Sequence, residues 1–177
     1  MKKTLLLPLL ACIFIFAQCK KDKNSPEPDN PYGLPNATQT GANVFACRVN
    51  GVNWVSGKGI YKMGGEVSND TLSCWGIRKD TDHLNDLVIQ LRGGAAQGGQ
   101  YSLSATGSNY IRYVLGKTCN GYLGSNFLTL FSTSGSVTIS KIDRINKIIS
   151  GTFNCKVPVP TCDTLYVTDG RFDIRYY

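Results

Sequence analysis

The sequence predicts an all-β domain, an antiparallel β-sandwich or barrel of about nine or ten strands. Short runs rich in Val, Ile, Thr, Tyr and Phe are separated by clusters of Gly, Asn, Asp and Ser, which is the usual composition of strands and turns. Within the runs, apolar and polar residues alternate, as they do in strands that bury one face and expose the other. No stretch of ten or more residues has a helical period.

The alternation is clearest near the C-terminus. In the run 148–157, one face is apolar or small and consists of Ile149, Gly151, Phe153, Cys155 and Val157. In the run 171–176, the apolar face consists of Phe172, Ile174 and Tyr176, opposite Arg171, Asp173 and Arg175. Both runs are therefore predicted to be strands with one buried face.

Eight further runs complete the predicted strands, namely 44–49, 59–63, 72–77, 87–91, 101–103, 110–115, 127–131 and 137–142. Asn50-Gly51 favours a two-residue hairpin turn, because both residues tolerate the positive φ angles that such turns require. Asp169-Gly170 predicts a turn or a bulge.

Residues 1–18 are predicted to be an export signal of the lipoprotein type. Met1-Lys2-Lys3 is a short cationic segment, and residues 4–17 are almost wholly apolar. This apolar run is too short to span a bilayer. We expect the signal to be removed and the mature chain to begin at Cys19.

Two cysteines compete for the acyl chains. Cys12 follows Ala11, and a small residue is usual before a lipidated cysteine, whereas Cys19 follows the bulkier Gln18. Cleavage before Cys12, however, leaves an apolar core of about seven residues, which is at the short limit for such signals. We therefore predict lipidation at Cys19, which would anchor an outer membrane lipoprotein through its acyl chains, with Cys12 as the alternative.

Residues 19–43 are predicted to be the lipidated cysteine and a flexible tether, because four prolines lie there among polar residues with few apolar ones to bury. Residues 44–177 are predicted to form one domain, large enough for a hydrophobic core. Without residues 1–18 the chain carries 17 basic and 12 acidic side chains, a net charge of +5. The surplus is scattered, so nucleic acid is not an expected partner.

Five cysteines follow Cys19, and export permits disulfides between them. Cys155 and Cys162 flank a six-residue segment with two prolines, and we predict that they close a hairpin loop at its base. Among the other three we favour a Cys47–Cys119 disulfide and a free, buried Cys74, although the sequence leaves this pairing open. The chain has one histidine and no Cys-x-x-Cys, so neither a metal nor another cofactor is expected.

Three candidate chemical sites, in two segments, have simpler structural interpretations. Asp80, Asp82 and Asp86 begin like a calcium loop, but the glycine and the bidentate glutamate of such loops are missing, which favours a solvated turn. His83 lies in the same turn, and no nucleophile motif occurs elsewhere, so no catalytic residue is predicted. The glycine-rich segment 92–100 lacks the Lys and Ser/Thr of a phosphate-binding loop.

Aromatic residues are plentiful, and most are expected in the core or in cross-strand pairs. Tyr110, Tyr113 and Tyr122 are the candidates for a ligand-binding rim, because they lie near Gly-Ser-Asn loops. We expect a non-enzymatic binding or accessory module of the cell envelope, with an envelope protein or a glycan as its partner. The alternative is a binder of glycans or small ligands that uses exposed rings. An envelope hydrolase is disfavoured by the single histidine.

Several segments together resemble a family of Bacteroidota lipoproteins that carry a domain of unknown function behind a Cys-Lys-Lys-Asp anchor. The segments are 37–43 (ATQTGAN), 45–51 (FACRVNG), 135–143 (GSVTISKID), 148–153 (IISGTF) and 168–176 (TDGRFDIRY). The similarity spans most of the mature chain. It implies Cys19 as the anchor and an envelope location, and it implies no catalytic residues.

Overall fold

The computed structural model describes residues 30–59, 62–79, 84–93, 97–123 and 126–177. Cys12, Cys19, Asp80, Asp82 and His83 lie outside these ranges, so what is predicted of them remains a prediction. Contacts group residues 34–177 into one unit and residues 1–33 into another. In the described part of the smaller unit, the Gly33 amide donates a hydrogen bond to the Asn30 carbonyl at 3.3 Å.

The described residues contain thirteen strands. They are β1 Val44–Val49, β2 Val52–Val55, β3 Met63–Ser68, β4 Thr71–Lys79, β5 Leu84–Arg92, β6 Gly99–Ser104, β7 Tyr110–Leu115, β8 Lys117–Thr118, β9 Gly121–Tyr122, β10 Leu128–Phe131, β11 Ser134–Asp143, β12 Ile148–Val157 and β13 Leu165–Arg175. No helix capable of spanning a bilayer occurs in the described ranges.

Two sheets account for eleven of these strands. A six-stranded sheet has the order β2-β1-β13-β12-β11-β6, and a five-stranded sheet has the order β10-β7-β5-β4-β3, with β8 and β9 paired separately. All pairings are antiparallel. The predicted all-β antiparallel class is confirmed, and the two sheets pack as a sandwich around one core. The strand count exceeds the prediction because β2, β8 and β9 have only two to four residues, too few to show alternation.

Phe45 of β1 lies at the centre of an aromatic cluster between the sheets. Its ring centroid is 5.3 Å from that of Phe153, 6.4 Å from that of Phe172 and 6.0 Å from that of Trp54. On the opposite sheet, a Cβ added to Gly76 would come within 2.8 Å of the Phe45 ring, so glycine leaves the space that this ring occupies. The alternation predicted for β12 and β13 is confirmed, because the odd residues of β12 and Phe172, Ile174 and Tyr176 are buried.

The two predicted turn signals have different roles. Asn50 and Gly51 have φ angles of 48° and 79° and connect β1 to β2, with Val49 paired to Val52, so the hairpin turn is confirmed. Asp169 has a φ of 53° inside β13, where the register against both neighbouring strands shifts. Asp169-Gly170 is therefore a bulge within a long strand, one of the two predicted outcomes.

Gly59 and Lys62, in the strand predicted at 59–63, lie outside any strand, and residues 60 and 61 are not among the described residues. Gly59 has a φ of +103°, and its carbonyl accepts hydrogen bonds from the amides of Lys62 and Met63 at 2.9 and 3.1 Å. These bonds close a turn, and β3 begins only at Met63.

The predicted tether extends too far, because residues 34–43 belong to the folded unit. We call this segment the strap. It lies against the outer side of the six-stranded sheet, where Lys141 Nζ donates to the Gln39 carbonyl at 3.0 Å and the Arg175 amide donates to Asn43 Oδ1 at 3.2 Å. Leu34, at its beginning, is 3% exposed. The domain therefore begins about ten residues before the predicted boundary at residue 44.

Asp173 of β13 holds the strap. Its carboxylate accepts hydrogen bonds from the Thr38 hydroxyl at 2.5 Å and from the amides of Thr40, Gly41 and Ala42 at 3.0, 2.9 and 2.9 Å. The Ser150 hydroxyl of β12 adds a fifth bond at 2.7 Å. The alternation predicted Asp173 to face water, but the strap covers it and leaves it 1% exposed.

Both predicted disulfides are wrong, and the structure joins Cys119 to Cys162 with a Cα–Cα distance of 5.9 Å. Cys155 shares the inward face of β12 with Phe153 and Val157 and is 3% exposed, so its thiol points away from the loop that carries Cys162. Cys47 also points into the core, whereas Cys119 lies at the surface between β8 and β9. Cys47, Cys74 and Cys155 are free and buried, which confirms the prediction for Cys74.

Candidate functional site

The outer side of the five-stranded sheet presents rings and polar groups to solvent. Side chains alternate along its strands, so that Cys74, Ile89, Ile111 and Leu130 point into the core. The intervening residues point outward and are partly or fully exposed. We call this surface the open face, and it consists of Trp75, Ile77, Asp86, Val88, Gln90, Tyr110, Arg112, Val114, Thr129 and Phe131.

A row of paired residues crosses the open face from strand to strand. Trp75 is paired with Val88, Val88 with Arg112, and Arg112 with Phe131. Directly opposite residues on adjacent strands have their side chains within contact range. The row therefore places an indole, an aliphatic side chain, a guanidinium and a phenyl ring on one line across four strands.

Trp75 lies across the backbone of β3. A Cβ built on Gly64 would come within 2.5 Å of indole Cζ2, 2.9 Å of Cε2 and 3.1 Å of Cη2. Any other residue at position 64 would thus displace the ring. Since Trp75 keeps intermediate exposure, part of the indole remains accessible to solvent. Gly64 is therefore the residue that allows the indole to rest on the sheet.

Tyr110 and Phe131 form a second aromatic group at the other side of the open face. Their centroids are 5.3 Å apart at an interplanar angle of 83°, the edge-to-face arrangement. The Tyr110 hydroxyl donates to Gln90 Oε1 at 2.5 Å, which leaves the Gln90 amide nitrogen as a donor for another group. Phe131 is 47% exposed, and Phe127, four residues earlier, is 50% exposed.

Charged groups of both signs lie among these rings. Burial raises the pKa of the Asp86 carboxyl, and the positive charges of Arg112 and Lys62 offset part of that effect. The Oδ1 atom of Asp86 is enclosed and has no hydrogen-bond partner within the described ranges. Arg112 is exposed beside it, and Glu66 is exposed on β3 at the edge of the sheet. The open face thus offers hydrogen-bond donors and acceptors without a dominant charge.

Of the three predicted rim residues, only Tyr110 is described on the open face. Tyr113 is 3% exposed and packs in the core, so its prediction as a ligand-binding residue is wrong. The reason is the strand period, because residues 110 and 113 differ by an odd number and face opposite sides of β7. The Tyr122 side chain lies outside what the structure describes. Trp75 and Phe131 were missed, although alternation along β4 and β10 places them opposite buried residues.

The three free thiols of the described residues are buried, not presented at the surface. Burial raises the pKa of the thiols of Cys47 and Cys74, and it raises that of Cys155 to about 12. Thiols with such pKa values are not nucleophilic near neutral pH. Within the described ranges, no three His, Cys, Asp or Glu side chains come together as metal ligands do.

The fold and the open face define a two-sheet antiparallel β-sandwich protein with an exposed aromatic surface on one sheet. Residues 45–173 match the model of the family described as Domain of unknown function (DUF6252), and the chain belongs to this family. The match begins in β1 and ends at Asp173 in β13, so it covers all strands of the sandwich. No curated protein and no solved structure matches the chain.

Proposed function

We propose that this protein is a non-enzymatic glycan-binding module that is displayed on the cell envelope by an acyl anchor at Cys19. The open face of the five-stranded sheet is its binding surface. The observation that carries the proposal is the arrangement of Trp75, Tyr110 and Phe131, three accessible rings on one face with hydrogen-bonding groups between them. The proposed location is the outer membrane of a Bacteroidota-type cell, as the resemblance to that group of lipoproteins implies.

Sugars suit this surface for a chemical reason. One side of a sugar ring presents C–H groups that pack on the face of an aromatic ring, while its hydroxyls require donors and acceptors at the edges. Binding sites of this kind combine apolar and aromatic area with a few placed polar groups. On the open face the rings supply the first element, and Gln90, Arg112 and Asp86 supply the second.

We propose binding without catalysis because of the groups on this surface. Arg112, Gln90 and Asp86 bind hydroxyl groups, but none of them forms a nucleophile–base pair with another described side chain. An accessory module that binds an envelope protein is the second candidate, and the exposed phenyl rings of Phe127 and Phe131 favour it.

Two features support the envelope location, one at the N-terminus and one within the domain. The N-terminus has the cationic and apolar segments of an export signal ahead of Cys19. The Cys119–Cys162 disulfide favours an oxidising compartment, since disulfides rarely persist in the cytosol. Two or more acyl chains on Cys19 would suffice for stable anchoring without a transmembrane helix.

A glycan array tests the binding proposal. The wild-type chain is compared with Trp75→Ala, Phe131→Ala and, as a matched control, Tyr166→Ala, whose ring is 51% exposed on the six-stranded sheet. We expect wild type and the control to retain the same glycan signals and the other two variants to lose them. Loss in all three variants, or in none, contradicts the open face as the site. Capture of an envelope protein without any glycan signal favours the accessory module instead.

Metabolic labelling with a fatty-acid analogue tests the anchor. We expect Cys19→Ala to abolish the label and Cys12→Ala to keep it. The reverse pattern would move the cleavage site to Cys12. Proteolysis of intact cells then reports whether the domain is exposed on the cell surface or lies in the periplasm.

A further inference from the structure

The two aromatic groups of the open face are too far apart for one sugar to contact both. Trp75 lies on β4 and Phe131 on β10, and the paired row between them passes through Val88 of β5 and Arg112 of β7. Three strand spacings of about 4.8 Å separate them, a distance of about 14 Å along the row. Each aromatic group therefore provides its own stacking position.

The residues between the rings set the chemistry of what lies there. Arg112 is exposed, and no carboxylate of the described residues forms an ion pair with it within 4 Å. The positive charge of Arg112 acts on Asp86, which is partly buried and is paired with Val114 on β7. Gln90 presents its free amide nitrogen one pair further along β5. The space between the two aromatic groups therefore contains a positive donor (Arg112), a neutral donor (Gln90) and a carboxylate acceptor (Asp86).

We propose that the ligand is a neutral oligosaccharide chain that lies across the strands, with Trp75 and the Tyr110–Phe131 pair as separate stacking positions and Arg112 between them. This inference rests on the proposed function and specifies its ligand. The chain must contain several sugar residues, because a single residue reaches only one ring group.

Charge complementarity favours a neutral chain over an acidic one. An acidic polysaccharide would pair with Arg112 and Lys62, but it would also approach Asp86 and Glu66 on the same side of the sheet. Repulsion between the acidic groups of such a ligand and these two carboxylates would oppose binding. A hydroxyl-rich, uncharged chain uses the donors and the acceptor together. A hydrophobic protein segment fits less well, since it would leave the Arg112 guanidinium without partners.

The test measures dissociation constants by isothermal titration calorimetry. The probes are neutral gluco-, manno- and xylo-oligosaccharides of two to six residues, and oligogalacturonides of the same lengths as acidic counterparts. For a neutral series that binds, we expect affinity to rise with length until both ring groups are covered and then to level off. Removing either ring group should weaken the longest neutral ligand about tenfold.

The variants also map the two positions. Trp75→Ala and Phe131→Ala should each reduce the advantage of long over short ligands, while Tyr166→Ala should leave the whole series unchanged. Phe131 and Arg112 are exposed, so Phe131→Ala and Arg112→Ala keep the core intact if Trp75→Ala fails to fold. Arg112→Ala should weaken the neutral chains without making the affinity depend strongly on salt.

The outcomes separate the inference from the proposed function. Equal affinity for short and long neutral chains, or a preference for oligogalacturonides that Arg112→Ala and high salt abolish, overturns the neutral, strand-crossing chain but keeps glycan binding at the open face. No binding of any oligosaccharide, or binding that none of the open-face variants changes, overturns both.

Discussion

The hydroxyl of Thr38 donates a hydrogen bond of 2.5 Å to the carboxylate of Asp173, although 135 positions separate the two residues in the chain. This contact joins the first residues of the folded unit to its last strand. Burial by itself raises the pKa of Asp173, but hydrogen bonds from Ala42, Thr38, Ser150 and Gly41 outweigh it and lower the pKa to about 2. The strap therefore depends on one negative charge.

Asp173→Asn should destabilise the domain, because an amide cannot accept all five hydrogen bonds and its NH2 group faces other donors. The folded-state pKa lies below the unfolded value, so the charge contributes about 2 kcal/mol of stability above pH 4, and this is lost as the pH falls toward 2. The free energies of unfolding of the wild type and the variant, measured in urea at pH 7 and at pH 2.5, give this contribution. A difference that persists undiminished at pH 2.5 would contradict the role of the charge.

Gly41→Ala should loosen the strap. Gly41 has a φ of +72°, and an added Cβ would lie 3.0 Å from both Arg175 Cγ and Ile148 Cγ1. Gly93→Ala is the matched control, since Gly93 has a φ of +75° with nothing within 4 Å of the added Cβ. The backbone strain of about 1 kcal/mol is common to both, and crowding adds to it only at residue 41. Equal losses of unfolding free energy in the two variants would show that the strap tolerates the methyl group.

Asp86→Asn should stabilise the domain at neutral pH, the opposite effect to Asp173→Asn. The folded structure raises the pKa of Asp86, so its carboxyl contributes most to stability when protonated, and that contribution is lost as the pH rises through the folded-state pKa. We expect a higher melting temperature for the variant at pH 7 and no difference at pH 3, where the wild-type carboxyl is protonated in both states. A lower melting temperature at pH 7 would mean that the attraction of Arg112 and Lys62 exceeds the cost of burial.

The three core thiols should resist alkylation in the folded protein. Cys47, Cys74 and Cys155 are at most 3% exposed, and burial raises the pKa of each thiol. Iodoacetamide at pH 8 is expected to modify them only after denaturant is added, as peptide mapping by mass spectrometry would report. Rapid modification of Cys155 without denaturant would contradict its place in the core and reopen its pairing with Cys162.

Strand alternation predicts most of the strands and their buried faces, and the same rule explains two errors. It placed Cys155 beside Phe153 and Val157 on an apolar face, and that position already excluded a bond to a surface loop. It also placed Tyr110 and Tyr113 on opposite faces of one strand. Both errors arise from grouping residues by their closeness in the sequence, without regard to the direction of their side chains.

Sequence patterns do not predict the strap or the row of paired residues from Trp75 to Phe131. The strap is a polar segment that folds because its backbone amides bind Asp173, and nothing local to residues 34–43 indicates an acceptor 131 to 135 positions away. The row depends on the register of four strands, since it is the pairing of Trp75 through to Phe131 that brings the rings into line. Alternation gives the face of each residue but not its neighbour across the sheet.

The Cys119–Cys162 bond closes a covalent ring around β9 to β12, and its two ends are 43 positions apart in the sequence. In the chain-entropy account, a ring of this size stabilises the folded state by about 4 kcal/mol. That amount is comparable with the whole stability of many small domains. A chain kept under reducing conditions would therefore stay closer to its unfolding threshold. If the chain is exported as proposed, the sandwich would reach its full stability only once this disulfide has formed outside the cytosol.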